Sequence, residues 1–332
     1  MAAEDQKSAD VVLQTEVDGC SGRAKVMDVS DAVDRLFSGV VPERIGELKD
    51  LWGRQAERVR LLDVQRFLLQ QLYGTVQVSE VALRQIWLTG YAAWRAVQAY
   101  NVPLALAAVY SAPLDLTAWH ESPSQAEKDH AFDTLFDKLV ELGNMGSLED
   151  FDWPQDVPYP QEGLTITDPE MKGTFDLVCM AGAYVFAHEV RHGLFEREGN
   201  PPSDIMDEER ACDRWALSLM LDQAASYAVD NGWAPSDVRA KRLLGILIAN
   251  LTILALTSRP LRDASTDHPS VRERLRSVLD AATDPVPDWF WITITSMLLA
   301  FAKRLGVSMP SRPLPSSFRL LSYDICELLK SA

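Results

Sequence analysis

The chain has 332 residues, room for one large domain or two modest ones, and is long enough to bury a core without disulfide or metal staples. Hydrophobic residues at 47% and charged residues at 24% are the balance of a globular protein and exclude collagen-like, coiled-coil and wholly disordered classes. With 32 Lys and Arg against 48 Asp and Glu, the net charge of −16 repels phosphate backbones, so nucleic acid is not an expected partner.

Residues 1–30 are polar and acidic and predict a mobile tail. They lack the basic start and apolar run of a secretory signal, so a cytoplasmic setting is expected. Cys20, Cys179, Cys212 and Cys326 are far apart with no C-x-x-C pair, which predicts reduced thiols. Residues 31–150 form a region that reads as helical, with Leu61, Val64, Phe67 and Leu68, then Val81, Leu83, Ile86 and Trp87, recurring three or four apart. From Ser122 to Gln161, prolines 123, 154, 158 and 160 amid acidic residues predict a linker or surface excursion.

Residues 151–332 form the second predicted region. Gly163–Thr167 favours a short strand. Asp168-Pro169 supplies a cap and a first-turn proline, and Gly199-Asn-Pro-Pro202 a stop, which predicts a helix ending near Glu198. A second helix is expected from Ser203 or Asp204 to Asp230-Asn-Gly232, and a later one from Pro269. The apolar runs Leu243 to Leu256 and Trp289 to Ala302 are 14 residues each. As helices they would be about 21 Å long against a hydrocarbon core of about 30 Å, so both predict buried core helices and membrane contact is disfavoured. The whole predicts a mainly α fold with a small β element.

Two of the five histidines fall in His188-Glu-Val-Arg-His192, an H-E-x-x-H on the first predicted helix. Positions i and i+4 share a helix face, so both imidazoles can meet one metal ion while Glu189 reaches a water beside it. The alternative is an incidental pair on a solvated face. A catalytic zinc needs a third ligand, and Glu209-Arg-Ala-Cys-Asp213 offers Glu209, with Asp213 four residues on to orient a ligating histidine. Asp207 and Glu208 compete for the ligand role, and an acidic first turn suited to the helix dipole is the plainer alternative. His268-Pro269 precedes a third helix, where a neutral imidazole could donate to a developing oxyanion. Arg274, two turns on, could pair with buried carboxylates; a helix cap plus a surface arginine is the alternative here. His120 and His130 have no partners at ligand spacing and read as surface residues.

H-E-x-x-H, E-x-x-x-D and H-P-x-x-x-x-R in that order resemble the gluzincin zinc metallopeptidases. The pattern runs from Met171 to about Leu279 and is shared by the HtpX and CAAX-prenyl endopeptidase group and by the phage-exclusion Lit-like peptidases. The absence of a spanning run makes the chain most similar to the soluble Lit-like group. The resemblance implies a zincin-like core, Zn²⁺ held by His188, His192 and Glu209, catalysis by Glu189 and His268, and Asp213 and Arg274 as their supports. It also implies an intracellular protein substrate, with translation elongation factor Tu the family example, in a response to phage. Two other classes stay open: a metal-stabilised, inactive regulatory or binding protein, and a membrane-associated peptidase. Oligomeric state and trigger are not legible.

Overall fold

The computed structural model describes residues 26–52, 58–161, 163–258, 262, 267–282, 286–309 and 311–329. The predicted tail therefore lies outside the described residues up to position 25, and its end is a strand. The helices are α1 (Ser30–Val40), α2 (Ile45–Trp52), α3 (Glu80–Val109), α4 (Leu116–His120), α5 (Pro123–Asn144), α6 (Pro169–Glu198), α7 (Ile205–Leu221), α8 (Ala224–Asp230), α9 (Pro235–Leu256), α10 (Val271–Ala281), α11 (Asp288–Arg304) and α12 (Phe318–Leu328). The strands are β1 (Val26–Asp28), β2 (Val59–Leu62), β3 (Leu69–Leu72) and β4 (Thr75–Ser79). The fold is mainly α with one small sheet.

That sheet has the order β1-β2-β4-β3, with β2 and β4 parallel and the outer pairs antiparallel. It lies where the sequence predicts helix. The apolar positions Leu61, Val64, Phe67 and Leu68 are three apart by coincidence, across a strand end and a loop. The informative signal is the Tyr73-Gly74 turn, with φ of 50° and 74°, which closes β3 onto β4 as a two-residue hairpin. Alternation then buries Val76 and Val78 on one face. Gly163–Thr167, the predicted strand, is irregular and pairs with nothing in the sheet.

α6 runs through the centre of the molecule. Its N-cap Asp168 accepts the Met171 N–H at 2.8 Å, Pro169 opens the first turn, and Gly199 closes it in the left-handed region at φ 64°, as the sequence predicts. It packs against α1, α3, α7, α9 and the β3–β4 hairpin. Two neighbours come unusually close through glycines. A Cβ at Gly90 of α3 would fall 2.2 Å from Val178 Cγ2, and one at Gly245 of α9 would fall 2.3 Å from Met180 Cβ and 3.2 Å from the Leu177 carbonyl oxygen. α9, which carries the first apolar run, is accordingly buried along most of its length, as is α11 with the second. Among the described residues no helix is long and apolar enough to cross a membrane.

Three further expectations are corrected. The Ser122–Gln161 stretch is a linker only in its second half. Pro123 is the first residue of α5, which packs on α3 and buries Phe132, Leu135, Phe136, Leu139 and Leu142. One cluster of buried apolar side chains includes members from Val33 to Leu329. The second predicted helix is interrupted at Asp222 and Gln223, giving α7 and α8. Ser270, not His268, caps α10 by accepting the Glu273 N–H at 3.1 Å, so Pro269 stands before the helix. Cys179, Cys212 and Cys326 are free thiols, and Cys20 lies outside the described residues.

Gly245→Ala tests the close approach. Alanine is the better helix former by ~1 kcal/mol. The clash, however, is with a Cβ and backbone that cannot rotate away, and overpacking of this kind costs about 1–3 kcal/mol. The variant should unfold at lower urea concentration than the parent; a midpoint at or above the parent's contradicts the geometry.

Candidate metal centre

α6 presents His188 and His192 on one face, and α7, packed alongside, presents Glu209 to both. The two Nε2 atoms are 3.1 Å apart. His188 Nε2 lies 3.3 Å from Glu209 Oε2, and His192 Nε2 lies 3.2 Å from Glu209 Oε1. The ligand-type atoms of these three residues all fall within 4.8 Å of one another. His188 and Glu209 are buried, at 8% and 5% exposure.

The far side of each imidazole is also engaged. His188 Nδ1 is 2.9 Å from Asp213 Oδ1, and His192 Nδ1 is 2.7 Å from Glu208 Oε1. A carboxylate only accepts, so both Nδ1 atoms carry the proton and both Nε2 atoms present lone pairs to the shared space. Two lone pairs and a carboxylate facing one another repel unless positive charge lies between them. The donor set therefore fits a divalent cation such as zinc: two imidazole nitrogens, one carboxylate, and outer hydrogen bonds that fix the tautomers.

Without a metal, protons must supply that charge. Burial disfavours the imidazolium of His188, yet its hydrogen bonds to Asp213 and Glu209 prevail and lift its pKa to about 10. His192 is raised against the same opposition from burial by Glu209 and Glu208. Burial pushes the Glu209 carboxyl up, but hydrogen bonds with His188, His192 and His268 hold it well below the carboxylate range. Glu189 is raised by burial, only partly offset by the nearby histidines and by a hydrogen bond from the Gln71 backbone of β3. That pairing sets Glu189 against the edge strand of the sheet.

The third segment reaches the cluster from α10 and the residues before it. Arg274 Nη2 lies 2.9 Å from Glu209 Oε2 and its Nε 3.0 Å from Asp213 Oδ2, tying the central carboxylate to the one that holds His188. His268 Nδ1 lies 3.0 Å from Glu209 Oε2, with its side chain 61% exposed. All seven singled-out residues, His188, Glu189, His192, Glu209, Asp213, His268 and Arg274, thus meet in one place. Glu208 contacts the outer nitrogen of His192 rather than the shared space, and Asp207 pairs with Arg210. Sequence reasoning missed that role for Glu208, as well as the part of Gln71 and of Tyr184, which approaches Asp213. His130 is exposed and away from the cluster, and the side chain of His120 lies outside the described residues.

The charge arrangement has a pH consequence. A histidine whose folded pKa is raised to about 10 from 6.5 contributes stability that is complete below pH about 6.5 and is lost as pH rises towards 10. Glu189, also raised, acts in the same direction. In chelator the thermal midpoint should fall across this window. Added zinc should offset the fall, because metal binding needs deprotonated imidazoles and strengthens as pH rises. A chelated midpoint that climbs through the window contradicts the arrangement.

No curated protein and no solved structure matches the chain. A family model, Peptidase U49, matches residues 76–291, from the middle of β4 into α11, and so takes in every residue of the cluster. The match spans most of the chain, and the protein belongs to the Peptidase U49 family of peptidases.

Proposed function

We propose that the protein is a zinc-dependent endopeptidase, and the observation that carries this reading is the convergence of His188 Nε2, His192 Nε2 and the Glu209 carboxylate beside Glu189. Zinc held by His188, His192 and Glu209 would supply Lewis acidity and lower the pKa of a nearby water towards about 7. Glu189 takes a proton from the attacking water onto its carboxylate, which its raised affinity for protons favours. It returns that proton to the nitrogen of the departing chain. His268, at the exposed rim, gives its Nδ1–H to Glu209; once a cation takes up that carboxylate, the same N–H is the donor proposed for the oxygen of the peptide carbonyl under attack. Asp213 and Glu208 hold the two imidazoles in the tautomer that turns Nε2 inwards, and Arg274 pairs with both Asp213 and Glu209.

The substrate class follows from what stands next to the cluster. β3 is an edge strand, and an extended peptide can add to such an edge through its backbone. The Lit-like resemblance points to an intracellular protein, a translation factor among the candidates, cut in phage defence. No observation favours an inactive binding protein, which would not need Glu189 half-buried beside the two histidines.

The purified protein should carry about one equivalent of zinc by elemental analysis, and His188→Ala should lose it. Glu189→Gln keeps the size of the side chain and removes the base. Zinc content and thermal stability should hold while proteolysis falls by roughly 10² to 10⁴-fold. Mass-spectrometric comparison of new protein N-termini in cells carrying the parent or the Glu189→Gln form would identify the substrate. Equal sets of cleavage products in both would overturn the mechanism.

A further inference from the structure

Asp213 has a third partner besides His188 and Arg274. Tyr184 stands one helical turn before His188 on α6, and its hydroxyl lies 3.5 Å from the Asp213 Oδ1 that also receives His188. The side chain of Asn250 on α9 stands beside the same hydroxyl. Tyr184 is buried and Asn250 is wholly so.

Asn250 is out of character with its surroundings. It is the one amide in the apolar run Leu243–Leu256, and its Oδ1 has no hydrogen-bond partner, while Nδ2 donates to the Ile246 carbonyl at 2.9 Å. A half-satisfied buried amide is destabilising where a leucine would pack without penalty. Its contact with Tyr184 gives it a use. An amide N–H beside that oxygen leaves the phenolic O–H to the carboxylate of Asp213, which can only accept. Burial holds the phenol protonated, so this donor persists at any working pH. A cavity of about 140 Å³ lined by Tyr184, Asp213, Leu217 and Arg274 adjoins the same contact, so Asp213 has space to swing into if it is released.

We propose that Tyr184 and Asn250 are positioning residues of the metal centre, a polar relay from α9 through α6 that fixes Asp213 on His188. The proposal rests on the metal-binding reading above. It goes beyond that reading by assigning to two buried residues, one of them on a helix that supplies no ligand, a share in metal affinity.

The test is zinc affinity, measured by competition with a chromophoric chelator, together with the thermal midpoint of the metal-free protein. Tyr184→Phe removes one oxygen and should weaken zinc binding by roughly tenfold, the low end of what loss of an outer partner of a ligand causes. Asn250→Leu should weaken it similarly while the metal-free midpoint holds or rises. In an Asp213→Asn background, Tyr184→Phe should have no further effect, because the group it positions has already lost its charge. A merely structural tyrosine would lower the midpoint equally in both backgrounds and leave zinc affinity unchanged in the folded protein. Unchanged affinity in Tyr184→Phe, or an equal loss in both backgrounds, overturns the relay, and Tyr184→Phe decides the matter alone should Asn250→Leu not fold. A parent protein that binds no zinc brings down the metal reading itself, whereas a parent that binds zinc and a phenylalanine variant that equals it bring down the relay only.

Discussion

The buried carboxylate of Glu209 organises the site. An ionised group at 5% exposure is costly unless positive charge and hydrogen-bond donors surround it, and here they come from three separate segments. α6 brings His188 and His192, α10 brings Arg274, and the residues before α10 bring His268. Remove any one element and Glu209 is left under-compensated, so the charge requirement fixes how α6, α7 and α10 sit together. It also fixes what the shared space must hold. Arg274 is one permanent cation against Glu208, Glu209 and Asp213, and the remaining deficit falls on the imidazoles or on a metal between them.

Such a cluster works only if its scaffold does not yield, and the packing of α6 meets that need. A helix carrying both imidazoles cannot drift by even an ångström without losing the 3.1–3.3 Å convergence at Glu209. Gly90 and Gly245 let α3 and α9 approach α6 at separations a side chain would forbid, three turns before His188 for Val178 and two turns before it for Met180. The same close approach of α9 brings Asn250 within reach of Tyr184. Packing and polar chemistry are therefore one arrangement, in which the helix that clamps α6 also touches the hydrogen bonds behind its first histidine.

Much of the site was legible because it is written in local spacing. Asp168-Pro169 and Gly199 bound α6 through capping that needs no tertiary partner, and i, i+4 pairs at 188/192 and 209/213 share helix faces wherever those helices pack. What could not be read depends on tertiary geometry. Glu208 and Glu209 are adjacent, and only the rotation of α7 against α6 decides that one faces the Nε2 atoms and the other an Nδ1. The strands were misread because four-residue segments carry too little alternation to outweigh a chance three-residue spacing, while the decisive Tyr73-Gly74 turn is a weaker relative of the Asn-Gly signal. α5 was hidden by its acidic surface face, since its buried phenylalanines and leucines show only once α3 and α11 lie beneath them.

The two histidines are held unequally, and the inequality follows from where their carboxylates sit. Asp213 is tied to Arg274, approached by Tyr184 and has a side chain 16% exposed, so the orientation of His188 is determined by three neighbours at once. Glu208 has a side chain 23% exposed and stands in the first turn of α7, where the helix end favours its charge and His192 is its partner. His188 thus belongs to the interior of the fold and His192 to its margin. The edge strand β3 lies near that margin, with Gln71 beside Glu189 and Gly193, whereas the exposed His268 stands on the Glu209 oxygen that faces His188. Rigidity is concentrated behind His188, while the exposed His268 and the edge strand β3 stand at the rim of the charge-balanced cluster.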